Sequence, residues 1–340
     1  MPPSVNAISF RALIFSCVLT LATWPGHAQT AIDDVHIPSR AMDVARAGPN
    51  NAGSIPGVRL RPAEVLRASV DLVLVPVSIT DDLHRPVVGL AQANFQLFEN
   101  KKPQAIKHFS TEDTPVSVGI ILDSSGSMRD KMDRARDAVS QFCAAGNPQD
   151  EFFLITFSDE PRIASDFTTS PDNLTNELIY ANPKGRTALL DAIHMGIRKL
   201  RQARYGRKAL LVISDGGDNH SHYTEREVKS EIRESDVMIY AMGTYDRWVS
   251  TQEELLGPEL LRDVTELTGG QAFTLTSPSE MAAAARNIGT QLRHQYVLAY
   301  RPQSAVRDGK WHKLTVKLKL PKNLPFFHVA ARSGYYAGTE

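Results

Sequence analysis

Two aspartates and three hydroxyl residues are the groups in this 340-residue sequence whose types and spacing could bind a metal ion. Asp123, Ser125 and Ser127 follow a buried-type apolar run in the stretch VGIILDSSGSM. Asp215 follows a second such run, ALLVIS, and Thr187 lies between the two in GRTALL. All five side chains offer hard oxygen donors, which select Mg²⁺, Mn²⁺ or Ca²⁺ rather than zinc or copper. The sequence therefore predicts an oxygen-ligated metal site.

The surrounding pattern predicts that these side chains meet at one edge of a sheet. The apolar runs VSVGIIL, FFLITF, ALLVIS and VMIYAMG are separated by helical stretches. This alternation is typical of an α/β fold with a doubly wound, mainly parallel sheet that is covered on both faces. Ligands of such sheets bind beyond the carboxyl ends of the strands, where Asp123 and Asp215 both fall. Thr187 is expected at a loop-to-helix junction near the same edge.

Ordinary capping is the alternative interpretation of these residues. Ser125, Ser127 and Thr187 could satisfy helix N-termini, and Asp215 could stabilise a turn. Independent capping does not explain why both carboxylates end strands at the same edge, so the pattern favours metal binding. Asp218, in the loop after Asp215, is expected to order that loop rather than to bind the metal.

The donor set also predicts what the site binds. Two aspartates balance a divalent ion, while five side chains reached partly through water leave room for one more ligand. A carboxylate from outside would complete the shell. The predicted partner is therefore a protein that offers a Glu or Asp side chain.

Other functional classes find little support in the sequence. Lysines plus arginines number 38 and aspartates plus glutamates also 38, so no basic field predicts nucleic-acid binding. No histidine base is in register with the serines, and no glycine-rich phosphate loop, G-x-S-x-G motif or lysine or arginine motif accompanies the cluster. The protein is expected not to be an enzyme.

The first residues predict an extracytoplasmic protein. Arg11 precedes an apolar run, and GHA at 26–28 offers small residues for cleavage, so 1–28 is predicted to be a signal peptide. The only predicted membrane contact is an uncleaved form of this signal acting as an anchor. The compartment is then the periplasm or the exterior, and Cys143 is the only cysteine left, so no intramolecular disulfide is possible.

The remaining chain divides into four predicted segments. Residues 29–67 are rich in Ala, Gly, Pro and Arg and are predicted to be a disordered leader or linker. Residues 68–113 form a β segment, 115–293 form the α/β domain, and 294–340 form a C-terminal β segment. Because neither β segment can bury a core alone, we expect 294–340 to pack with 68–113. The α/β domain would then be an insertion in a small, discontinuous β domain.

The polar motifs carry a family resemblance. DSSGS, the threonine of GRTAL and the aspartate of SDGGD resemble the three-part metal-ion-dependent adhesion site of the von Willebrand factor type A family, over about residues 115–290. The flanks, such as VDLVLVPVSITD and QYVLAYRP, are similar to secreted bacterial relatives first grouped in acidobacteria.

The resemblance implies a Mg²⁺ or Mn²⁺ ion bound directly by Ser125 and Ser127 and largely through water by Asp123. It also implies that Thr187 and Asp215 exchange direct coordination, and that a partner carboxylate completes the shell. In some relatives this exchange is coupled to movement of the last helix, here about 278–293. Two roles stay open: a binding or adhesion module, and a structural or assembly subunit of an envelope complex whose site is permanently filled.

Overall fold

The computed structural model describes most of the chain after the predicted leader. The described residues are 72–215, 217–244, 252–302, 308–321 and 325–337. The predicted signal peptide and leader lie outside them.

Fourteen strands and six α-helices make up the described regular structure, apart from short 3-10 turns. The strands are β1 (Val73–Thr80), β2 (Phe95–Glu99), β3 (Lys102–Gln104), β4 (Ile106–Ser110), β5 (Val116–Asp123), β6 (Glu151–Phe157), β7 (Pro161–Thr168), β8 (Arg207–Ser214), β9 (Val237–Thr244), β10 (Ala272–Leu275), β11 (Tyr296–Tyr300), β12 (Trp311–Leu318), β13 (His328–Ala331) and β14 (Gly334–Tyr336). The helices are α1 (Met132–Ala145), α2 (Pro171–Ile179), α3 (Leu189–Lys199), α4 (Glu225–Glu234), α5 (Gln252–Thr268) and α6 (Met281–Arg293).

The central sheet has six strands in the order β10-β9-β8-β5-β6-β7. Every pairing is parallel except that of β6 with the edge strand β7. All residues of β5 are buried, as its continuous apolar run requires for a strand covered on both faces. The carboxyl ends of β5 and β8 are neighbours, since Leu122 pairs with Ile213.

Helices cover both faces of this sheet. One core packs α1, α2 and α6 against side chains such as Val118, Leu122 and Ile213. The other packs α3, α4 and α5 against side chains such as Ile121 and Val212. The predicted α/β fold with a doubly wound, mainly parallel sheet is therefore confirmed.

Two edge strands of the central sheet were not predicted. The segment β7 forms an antiparallel hairpin with β6, and β10 adds a short parallel strand beside β9. The burial of β7 is only partial, which is typical of an edge strand and weakens its apolar pattern.

The segments before and after the central sheet pair with each other. Two four-stranded antiparallel sheets have the orders β13-β1-β11-β4 and β14-β12-β2-β3. Their inward side chains form a third core, in which Val77, Leu97 and Leu298 are buried. The domain boundaries proposed from the sequence stay predictions. Among the described residues, no helix is both long and apolar enough to cross a membrane.

Candidate metal centre

Asp123 ends the central strand β5 and is completely buried. The amide of Ser125 donates a hydrogen bond of 2.8 Å to its Oδ1 atom. The hydroxyl of Ser214, the last residue of β8, donates one of 2.6 Å to its Oδ2 atom. The carboxylate is therefore held between the ends of two neighbouring strands.

A chain of side-chain oxygens connects the first motif to Asp215. Ser125 Oγ lies 3.1 Å from Ser127 Oγ, and Ser127 Oγ donates to Asp215 Oδ1 over 2.8 Å. Ser125 and Asp215 are buried, whereas Ser127 is exposed. Residues 88 positions apart thus form one polar cluster that opens to solvent on the side of Ser127.

Thr187 lies two residues before α3, in a loop that is hydrogen-bonded to the segments after both strands. Its amide donates to Asn219 Oδ1 over 2.9 Å, and its carbonyl accepts from the amides of Asn219 and His220. The loop also accepts a bond of 3.2 Å from the amide of Gly126 to the carbonyl of Gly185. Thr187 is buried, and these bonds bring its loop against the strand ends that carry the other four residues.

Gly185 is required by the geometry of this loop. Its φ of +87° lies in the left-handed region, and an added Cβ would come within 2.6 Å of Asp159 Oδ2. Asp159 in turn accepts the amide of Arg186 over 2.9 Å. A side chain at position 185 would therefore strain the backbone of the loop that carries Thr187 and displace the Asp159 carboxylate.

The serine and threonine side chains were alternatively expected to cap helix N-termini, but the hydrogen bonds at the nearby helix starts do not show such caps. Ser125 stands at the N-terminus of a 3-10 turn but makes no side-chain cap there. The helices α1 and α3 begin after Lys131 and Ala188, neither of which caps through its side chain. Asp218 behaves as expected for a loop residue, since its carboxylate accepts the amide of Leu190 and the hydroxyl of Ser221.

Burial has the largest effect on the pKa of Asp123. The loss of solvent, together with the nearby charge of Asp215, raises the pKa of Asp123 to about 6. Hydrogen bonds from Ser214 and Ser125 oppose this shift. Two carboxylates brought together away from water favour a cation at this edge of the sheet.

The sequence did not predict that Lys131 forms an ion pair with Asp215. Lys131 Nζ lies 2.7 Å from Asp215 Oδ2, and both side chains are nearly inaccessible. Only its position four residues after Ser127, at the start of a helix, could have signalled this contact.

The oxygen cluster fits a small divalent ion. Neighbouring oxygens around octahedral Mg²⁺ are about 2.9 Å apart, given metal–oxygen distances of about 2.0–2.1 Å. The oxygen pairs Ser125–Ser127 and Ser127–Asp215 are hydrogen-bonded at 3.1 and 2.8 Å, distances that are compatible with this spacing. In the described part of the chain, no group of three or more His, Cys, Asp or Glu side chains is placed to hold a metal ion. Such a site here depends on hydroxyl groups.

The side chains of His220 and His222, in the loop after Asp215, have separate partners. His222 Nδ1 lies 2.8 Å from Asp191 Oδ2, while His220 Nδ1 lies 3.3 Å from Arg186, so the two histidines have different partners. Burial raises the pKa of the Cys143 thiol to about 12, which makes it a poor nucleophile.

A cavity of about 780 Å³ lies at the opposite end of the central sheet, where Val116, Arg207 and Val237 begin their strands. It is therefore separate from the oxygen cluster.

Comparison with known families identifies the central part of the chain. Residues 118–217 match the von Willebrand factor type A domain, and this range includes all five predicted site residues. The central part of the chain is therefore similar to this domain. No curated protein sequence matches the chain.

Solved structures show similarity at low identity. A von Willebrand factor type A protein from Catenulispora acidiphila is 15% identical, covers 79% of this chain and 63% of its own, and has a TM-score of 0.47. The von Willebrand factor domain of the type V pili tip protein Mfa5 from Porphyromonas gingivalis is 14% identical, covers 53% and 95%, and scores 0.43. Proximal thread matrix protein 1 from the mussel byssus, with a zinc-occupied adhesion-site motif, is 15% identical, covers 57% and 49%, and scores 0.42. Similarities this distant say nothing about what this chain binds.

Proposed function

We propose that this protein is an extracytoplasmic protein-binding module whose von Willebrand factor type A domain holds Mg²⁺ or Mn²⁺ at a complete metal-ion-dependent adhesion site. The ion would be held by Asp123, Ser125, Ser127, Thr187 and Asp215. The observation that carries the proposal is the oxygen chain from Ser125 through Ser127 to Asp215, which joins the ends of β5 and β8.

The exposure of the site supports a partner as the last ligand. Asp123, Ser125 and Asp215 are buried, whereas Ser127 and Gly126 are exposed. An ion held by this set is accessible from the Ser127 side. Since a divalent ion there would still accept an oxygen ligand, a Glu or Asp of another protein is the group that fits in charge and hardness.

The hydrogen bonds support binding rather than catalysis. Within the described residues, the hydroxyls of Ser125 and Ser127 bond to each other and to Asp215, and no bond joins them to a histidine. Histidine is the base that most often activates a serine nucleophile. The thiol of Cys143 is buried, and its raised pKa keeps it protonated rather than as the reactive thiolate.

The extracytoplasmic location is supported by the sequence. The apolar run after Arg11 and the small residues before Gln29 have the pattern of a secretory signal. The resemblance of the flanking β segments to secreted bacterial proteins agrees with this location.

Calorimetric titration of the secreted chain with Mg²⁺ and Mn²⁺ tests the metal. We expect one ion to bind per chain. Asp123→Asn should abolish binding, because it removes the charge while keeping the shape of the carboxylate. Asp137→Ala, which removes an exposed acid from α1, should bind like the wild type. Equal affinity of Asp123→Asn and wild type would refute the metal site.

An affinity capture from envelope extract tests the partner. The wild type would be compared in Mg²⁺ and in EDTA, with Asp123→Asn in Mg²⁺ as the third sample, and bound proteins would be quantified by mass spectrometry. Proteins retained only by wild type in Mg²⁺ are the expected result. Partners retained by the wild type in both Mg²⁺ and EDTA but lost from Asp123→Asn would instead support a structural subunit with a permanently filled site. The same proteins in all three samples would show that the metal site does not hold partners.

A further inference from the structure

Lys131 is a buried lysine whose charge is directed at the candidate metal centre. Its ammonium lies 2.7 Å from Asp215 Oδ2, and its side chain is only 9% exposed. The other oxygen of the same carboxylate accepts the hydroxyl of Ser127. One carboxylate therefore contacts both a cation of the chain and an oxygen of the proposed metal shell.

The backbone fixes Lys131 in this position. Its amide donates to the carbonyl of Met128 over 2.9 Å, and its own carbonyl accepts the amide of Ala135 over 2.9 Å. These bonds join the 3-10 turn that contains Ser127 to the first turn of α1. Since lysine is rarely buried unless it is paired, the ion pair with Asp215 accounts for this placement.

We propose that Lys131 is an internal counter-ion of Asp215 that opposes metal binding, so that a divalent ion binds only as the ammonium is moved away from this carboxylate. The inference rests on the proposed metal-binding function. Two cations that share one carboxylate repel each other strongly where water is excluded. In the metal-free protein, the same ion pair keeps Asp215 from being buried as an unpaired charge.

The proposal predicts how a neutral residue at this position changes metal affinity. Lys131→Met keeps the length and apolar character of the side chain but removes the charge. We expect it to bind Mg²⁺ at least tenfold more tightly than the wild type in calorimetric titration. The melting temperature of the variant should be lower than that of the wild type in EDTA, and Mg²⁺ should raise it by more degrees.

Lys184→Met is the matched control. Lys184 is exposed, and its amide donates to the carbonyl of Ser124, so it carries an equal charge close to the centre. Among the described residues, the cation that contacts Asp215 is Lys131 and not Lys184, so this variant should change the Mg²⁺ affinity less than threefold. A similar gain in both variants would show a general effect of positive charge and would overturn the specific role of Lys131.

A measurement on the wild type keeps the proposal testable if Lys131→Met fails to fold. Amine labelling with acetic anhydride, read by peptide mass spectrometry, should modify Lys131 faster in saturating Mg²⁺ than in EDTA. Unchanged labelling would overturn the proposal.

The titration also separates this inference from the function on which it rests. Wild type that binds Mg²⁺ as tightly as Lys131→Met would overturn only the role of the lysine. Failure of both proteins to bind Mg²⁺ or Mn²⁺ would overturn the proposed metal site as well.

Discussion

Gly119 provides a quantitative test of how the central sheet holds the site. It lies in the middle of β5, the strand that ends at Asp123. A methyl group at this position would lie 2.3 Å from Phe153 Cζ and 2.6 Å from Leu210 Cδ2. Both neighbours are completely buried, so neither can move into solvent. Gly119→Ala should therefore overpack the core that faces α3.

The expected cost follows from two opposing effects. Overpacking of a core costs ~1–3 kcal/mol. Alanine restricts the unfolded chain more than glycine does, which stabilises the fold by ~0.4–1 kcal/mol. The net expectation for Gly119→Ala is a loss of about 1–2 kcal/mol in the free energy of unfolding. Adding Phe153→Leu removes Phe153 Cζ, the atom nearest to the added methyl group. The loss of unfolding free energy in the double variant should therefore be smaller than the sum of the losses in the two single variants.

Urea unfolding followed by circular dichroism would measure these free energies. Gly206→Ala is the matched control, since a methyl group there meets nothing within 4 Å. It should leave the free energy of unfolding unchanged or slightly higher. If Gly119→Ala were as stable as Gly206→Ala, or if Phe153→Leu gave no relief, the packing argument for β5 would be wrong.

Two further predictions concern buried polar groups. Ser214→Ala removes the hydroxyl that donates to Asp123 Oδ2, so it should lower the free energy of unfolding by ~1–3 kcal/mol in urea and weaken Mg²⁺ binding; unchanged values would show that this bond does not position Asp123. Burial alone would lower the pKa of His312, but Glu99 and Asp308 raise it above its usual 6.5. The charged form therefore stabilises the fold below about pH 6.5, and this stabilisation is lost as the pH rises through the higher folded pKa. The melting temperature should fall over that range, and less steeply in His312→Gln; equal slopes for both proteins would contradict this assignment.

The sequence was sufficient to predict the central strands because their apolar runs are continuous. The strands β5, β6, β8 and β9 are buried along almost their whole length, so their pattern differs from that of any exposed segment. The edge strands β7 and β10 have no such signal. Partly exposed side chains break the pattern of β7, and β10 has only four residues.

The contacts of the site residues could not be predicted, because they depend on strand register. The pairing of Leu122 with Ile213 makes Asp123 level with Ser214, rather than with Asp215. Ser214 therefore meets Asp123, although the sequence offers no reason to prefer it over its neighbours. Lys131 meets Asp215 across 84 residues, and this contact depends on the direction in which α1 begins.

The residues of the candidate site are connected to the helices on both faces of the central sheet. Side chains alternate along a strand, so Asp123 shares a face with Ile121, in the core that contains α3. Asp215 follows the last residue of β8 and is paired with Lys131, which directly precedes α1 in the other core. The two carboxylates are therefore connected to different layers of helices, Asp123 through its strand and Asp215 through Lys131. A change in the ligands of Asp215 would act on the start of α1 through Lys131, whereas a change at Thr187 would act on the start of α3.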